Sequence, residues 1–141
     1  METTERCEQI ARQLGEIHKR MKRMQSLMLR EYDISLLEYH ILMLAARTRD
    51  IRQNEIAGAL DVDKALVSRQ IRTMEQKGLL SCDADPGCRR KKTICLSERA
   101  LALIPQLEQA HRRGLERAFD GISEPQLGQL QFILEGLVSK L

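Results

Sequence analysis

Apolar residues recur along the first thirty positions at Cys7, Ile10, Leu14, Ile17, Met21, Met24 and Met28, with alternating spacings of three and four. With 3.6 residues per turn, that rhythm lays them along one stripe of a helix, predicted over about residues 4–30. The other face carries Arg12, Glu16, Lys19, Arg20, Lys22 and Arg23. Such a stripe can pack within its own domain or against a second subunit; the length of the helix in so small a chain favours the subunit interface. A break at Glu31 to Ser35 follows, where Ser35 or Asp33 can cap a second helix, Leu36 to Ala46, burying Leu37, Ile41, Leu44 and Ala45. The polar stretch RTRDIRQ reads as a connection, with a minimal strand at Asp50 to Arg52.

The middle of the chain changes pace. QNEIAGAL (53–60) makes a short helix, Asp61-Val62-Asp63 a turn, and KALVSRQIRTMEQK (64–77) a second helix that Gly78 can close in the left-handed conformation. Two short apolar runs then flank Asp85-Pro86-Gly87, a turn signal, so 79–97 reads as a β-hairpin. Ser97 can cap a helix over about 98–118, and Ser123 with Pro125 in the first turn marks another over about 124–140. There Leu127, Leu130, Leu134, Leu137 and Leu141 repeat the three-four spacing, so helices at both ends can pair with each other and with symmetry mates.

A chain of 141 residues has the length of one domain and can bury a core without metals or disulfides. Aromatic residues are only 3% and Trp is absent, so Leu, Ile, Met and Ala at helical spacing must supply that core, which makes the fold mainly α. The net charge of +3 is uneven: residues 61–92 hold 8 bases against 5 acids, while 1–46 balance at seven each. Within the excess lies the run Arg89, Arg90, Lys91 and Lys92, which suits a phosphate-contacting element. No apolar run approaches the roughly 20 residues a membrane span requires, and METTERCEQI lacks the basic and apolar regions of a signal peptide. The expected compartment is cytoplasmic, where Cys7, Cys82, Cys88 and Cys95 are reduced at rest.

The helix at 64–77 sorts its residues by face. Val67, Ile71 and Met74 form one stripe, able to seat on Ile56, Ala57 and Leu60, while Lys64, Ser68, Arg69, Arg72, Thr73 and Gln76 occupy the other. Lys64, Ser68 and Arg69 fall in the N-terminal half, the part that enters the major groove in helix-turn-helix proteins. Taken singly, each is an ordinary solvated residue; spacing, caps, Gly78 and a basic hairpin tip together point to DNA. Catalysis finds no footing, since the chain has no glycine-rich phosphate loop, no nucleophile elbow and no room for a catalytic domain. A non-DNA-binding helical dimeric protein-interaction module would share the terminal helices but would not need the basic face.

QNEIAGALDVDKALVSRQIRTMEQKGLLSCDADPGCRRKKTICLSERA resembles the signature of the multiple antibiotic resistance regulator (MarR) family, with DPGCRR in place of Asp-Pro-x-Asp-Arg-Arg. The resemblance implies a winged helix-turn-helix with a small β-hairpin wing and long N- and C-terminal dimerisation helices. On that plan residues 1–141 form one domain, with a DNA-binding lobe at 47–97 and a dimerisation region at 1–46 and 98–141. It implies a homodimer on double-stranded DNA with a pseudo-palindromic operator, a repressor relieved by a small molecule, by thiol oxidation or by metal. By residue, Lys64, Ser68, Arg69 and Arg72 match recognition-helix contacts, Gln53 matches a position near phosphate, and Arg89 and Arg90 match the wing arginines. Lys91 extends that basic tip, and no cofactor is implied.

Cys88 stands where the family usually has Asp, and Ala100 replaces a common Gly. Cys82 and Cys95 are expected opposite each other across the hairpin, with Cys88 at the tip; all three are expected to be exposed, because the family usually has polar residues there. Thiols beside Arg89, Arg90, Lys91 and Lys92 gain thiolate character, so the three form a candidate thiol sensor. Cys7, on the first apolar stripe, is expected at the subunit interface. His40 and His111 are candidate metal ligands for a metal-responsive alternative, although an interior-facing His is more often a hydrogen-bonded core or pocket residue.

Overall fold

Three of the helices stop for the same local reason. The computed structural model describes residues 1–82 and 93–141, and the described elements begin with α1 (Thr3–Arg30), α2 (Leu36–Arg47), α3 (Gln53–Leu60) and α4 (Lys64–Gln76). At the ends of α1, α3 and α4, Asp33, Asp61 and Gly78 take positive φ of 55°, 52° and 72°. The following amide then reaches back five residues: Ile34 to the Leu29 carbonyl at 3.1 Å, Val62 to Ala57 at 3.0 Å and Leu79 to Met74 at 3.0 Å. These 6→1 bonds satisfy carbonyls that the helix leaves orphaned, and each brings an apolar residue back over the last turn.

Helix starts are equally local. Ser35, not Asp33, caps α2: its Oγ accepts from the Glu38 amide at 3.1 Å. Asp63 caps α4 by accepting from the Ala65 amide at 3.3 Å. The buried side of α2 is Glu38, Tyr39, Ile41, Leu42 and Met43, with Leu37, Leu44 and Ala45 only half-buried, so the helix is turned from the expected face. Tyr39, Ile41, Leu42 and Met43 form one core with Leu29, Ile56, Val67, Ile71, Met74, Leu79 and Leu107.

The hairpin is short within the described residues. β1 (Leu80–Ser81) pairs antiparallel with β2 (Cys95–Leu96), Leu80 opposite Leu96 and Ser81 opposite Cys95. On its other side the returning strand meets the expected minimal strand, with a bridge from Thr93 to Arg52 and an Ile94 amide bonded to the Ile51 carbonyl at 2.9 Å. α5 (Glu98–Ala118) follows, capped by Ser97 Oγ, which accepts from the Ala100 amide at 3.1 Å. Pro105 lies within α5 and cannot donate to the Leu101 carbonyl; both residues are exposed, so water can satisfy that oxygen.

The chain divides into two compact units, residues 1–111 and 112–141. In the first, residues 3–20 of α1 are exposed throughout, including Cys7, Ile10, Leu14 and Ile17, and burial begins only at Met21. The second holds the end of α5 and α6 (Glu124–Lys140). Ser123 Oγ accepts from the Gln126 amide at 3.3 Å while Gln126 Oε1 accepts from the Ser123 amide at 3.0 Å. That reciprocal cap fixes the start of α6, yet none of its residues is buried, and Phe132, Ile133 and Val138 stand exposed.

Candidate nucleic-acid interface

The left-handed turn at Asp61 and the cap at Asp63 set α4 across α3. Val67, Ile71 and Met74 are at most 2% exposed, against Ile56 and Ala57 of the preceding helix, as the sequence pattern required. Burying that stripe turns Lys64, Arg69, Arg72 and Gln76 to solvent, with Ser68 and Thr73 half-buried beside them. Lys64, Ser68 and Arg72 follow an i, i+4 ridge; Arg69, Thr73 and Gln76 form the neighbouring one. Thr73 Oγ1 donates to the Arg69 carbonyl at 3.2 Å, which leaves the Arg69 guanidinium unengaged by it.

Among the described residues no carboxylate lies within 4.0 Å of Lys64, Arg69 or Arg72. Three cations stand on one exposed helix face with their donors free, which is what a polyanion requires. Gln53 is the first residue of α3 and half-buried. Next to it, Glu55 Oε1 accepts from the Arg52 guanidinium at 2.7 Å and from the Arg52 amide at 3.3 Å, tying the start of α3 to the strand that meets Thr93.

Leu79, Leu80 and Ile94 root the wing in the core. Arg89, Arg90, Lys91 and Cys88 lie outside the described residues. The expected pairing of Cys82 with Cys95 is corrected: Cys95 faces Ser81. A register shifted by one residue sends the two thiols to opposite faces, and burial agrees, for Cys95 is exposed whereas Cys82 is half-buried against the core, contrary to the exposure expected of it.

His40 and His111 are not assembled into a metal site: among the described residues no three His, Cys, Asp or Glu side chains are grouped to hold an ion. His111 Nδ1 lies 3.4 Å from Gln25 Nε2, and its ring centroid is 6.4 Å from that of buried Tyr39. Desolvation, helped by the Lys22 charge, lowers the His40 pKa. Desolvation also raises that of Tyr39, with Glu108 adding to the effect and Arg47 opposing it.

Sequence reasoning missed the buried end of α4. Glu38 is 3% exposed, and its carboxylate takes hydrogen bonds from Gln70 Nε2 at 3.0 Å and from Lys77 Nζ at 3.0 and 3.1 Å. Lys77 Nζ also donates to the Asp33 carbonyl at 2.7 Å. The available signal was a carboxylate three residues after the Ser35 cap, a position normally read as half of an exposed capping box.

A sequence profile described as the MarR family matches residues 34–92. A protein of Thauera aromatica, whose name assigns it to transcriptional regulation of the hcr operon, is 26% identical over 99 residues. That similarity spans 70% of this chain and 60% of the relative's length. Among solved structures, a MarR family protein from Bacillus stearothermophilus superposes with a TM-score of 0.85 at 16% identity, covering 99% of this chain and 98% of that one. MepR from Staphylococcus aureus, in its complex with DNA, gives 0.77 at 24% identity, covering 93% and 97%. No helix among the described residues is long and apolar enough to cross a membrane. The profile match runs from just before α2 through α3, α4 and β1, the elements that present the cationic face; over these residues the chain is similar to the MarR family, and it shares the winged-helix fold of the MarR structures it superposes on.

Proposed function

We propose that this chain is a sequence-specific DNA-binding transcription regulator of the cytoplasm, acting as a homodimeric repressor on a pseudo-palindromic operator. The observation that carries the reading is the free cationic face of α4, Lys64, Arg69 and Arg72, over a fully buried stripe. An arginine presented in this way can bond guanine O6 and N7, and Lys64 can meet phosphate. The DNA complex of the MepR relative supports the same use of the fold. A helical interaction module would leave the three unengaged cations without a purpose.

Dimerisation is supported by apolar residues that find no cover within either unit: Ile10, Leu14 and Ile17 on α1, and Phe132, Ile133 and Val138 on α6. Of the signals that would relieve repression, a small molecule, a metal or thiol oxidation, exposed Cys95 at the wing root favours the thiol. Binding of the purified protein to a duplex enriched from a random 20-base-pair pool tests the function. Arg69→Ala is expected to lose about 1–3 kcal/mol of operator affinity, and each phosphate contact removed flattens the salt dependence by about 0.9 in log–log slope. Duplex binding that ignores salt and the Arg69 substitution would overturn the reading.

A further inference from the structure

Glu38 and Lys77 bury charge where apolar residues would serve stability as well or better, because desolvation offsets much of what a buried pair gains. What the pair adds is direction. Gln70 and Lys77 are seven residues apart, two helical turns, and both hydrogen-bond the one carboxylate projecting from α2. Lys77 carries the contact on to the Asp33 carbonyl, in the elbow between α1 and α2. The apolar stripe of α4 holds the helix down by non-directional attraction; two hydrogen-bonded points along its length fix its rotation and its slide. Arg69 is next to Gln70 in the chain, so that rotation decides where Arg69 points.

We propose that Glu38 is a positioning residue for DNA recognition: by gripping Gln70 and Lys77 it sets the rotation at which α4 presents Arg69 and Arg72 to the bases. The proposal rests on the DNA-binding reading above and extends it to a residue that touches no DNA. It also opposes simple electrostatics, which makes it decidable. Glu38→Gln leaves Lys77 only the exposed Asp33 carboxylate, 3.9 Å away, and adds one positive charge to the lobe, so charge alone predicts tighter binding. Loss of positioning predicts weaker operator binding with non-specific binding unchanged or tighter.

The test compares the full chain with Glu38→Gln and with the double variant Glu38→Met, Lys77→Met, which replaces the pair by apolar groups. Three quantities are read: affinity for the enriched duplex, affinity for poly(dI-dC), and amide hydrogen exchange across α4 in the DNA-free protein. Both variants are expected to bind the enriched duplex about ten-fold more weakly, to keep their poly(dI-dC) affinity, and to exchange faster over α4 than over α3. The double variant is expected to keep the parent's thermal midpoint, and it carries the test if Glu38→Gln fails to fold. Parent-like operator affinity in the double variant overturns the proposal, as does unchanged exchange over α4. If the unmodified protein does not distinguish the two DNAs, the DNA-binding reading fails instead, and the exchange measurement still decides whether Glu38 holds α4.

Discussion

Three consecutive carbonyls at the end of α4 are held by the start of α5. Arg99 Nη1 donates to the Lys77 carbonyl, Ser97 Oγ to that of Gly78 at 2.7 Å, and the Ser97 amide to that of Leu79 at 3.0 Å. Ser97 Oγ also accepts from the Ala100 amide at 3.1 Å, so one hydroxyl both caps α5 and straps down the end of α4. Ser97→Ala removes the cap, about 1 kcal/mol, and the bond to Gly78, about 0.5–1.5 kcal/mol. Because Ser97 is only half-buried, water recovers part of the second loss, and the expected total is about 1.5 kcal/mol. Ser97→Asp separates the two roles. Its carboxylate still accepts from Ala100 and suits the positive end of the helix, but it has no proton for the Gly78 carbonyl. It should lose about 0.5–1 kcal/mol, the strap without the cap. Urea unfolding at constant m-value reads all three proteins. Ser97→Ala within about 0.5 kcal/mol of the parent refutes the strap, and equal losses for Ala and Asp refute the division between cap and strap.

Met74→Ala empties a fully buried site beneath α4 and should cost about 2–5 kcal/mol, measured by urea unfolding, while removing no side chain from the exposed cationic side. Asp61→Gly relieves a positive φ of 52° at an exposed turn and should leave stability unchanged or raise it by up to about 1 kcal/mol, again by urea unfolding. For His40 the folded-state pKa lies below the unfolded value of 6.5 because burial and Lys22 disfavour the cation. Its contribution is therefore fully present above pH 6.5 and is lost as pH falls through the lower folded value. Thermal midpoints taken from pH 7.5 downwards should decline less in His40→Gln than in the parent, and identical declines count against the desolvation argument.

Helix boundaries were legible in the sequence because they are decided locally. Ser35, Ser97 and Ser123 each cap through an amide three residues on, and Gly78 sits at the left-handed position its residue type suggests. The cationic face of α4 was legible for the same reason: 3.6-residue periodicity alone separates Arg69 and Arg72 from Val67, Ile71 and Met74. Glu38 was not legible. It lies in the apolar run LLEYHIL, and its partners are 32 and 39 residues away, so nothing in local spacing distinguishes it from a solvated cap residue. The turned face of α2, which buries Leu42 and Met43 more deeply than Leu37 and Leu44, likewise follows from where α1, α4 and the wing root meet it.

The wing shows where local reading stops being sufficient. Asp85-Pro86-Gly87 marks a turn but does not determine how many residues it consumes, and the register of a hairpin depends on that number. Pairing Cys82 with Cys95 requires Ser81 opposite Leu96; the observed partner of Ser81 is Cys95, one residue away. That single step changes the chemistry available to the thiols. Two cysteines facing each other on one side of a hairpin form a candidate pair, whereas Cys82, half-buried against the core, and Cys95, exposed, meet different surroundings. Thiolate chemistry follows solvent access and nearby positive charge. Oxidant therefore reaches Cys95 without disturbing Leu79, Leu80 and Ile94, whereas reaching Cys82 means loosening the packing that roots the hairpin beside α4, so the thiol response proposed above is to be tested first at Cys95.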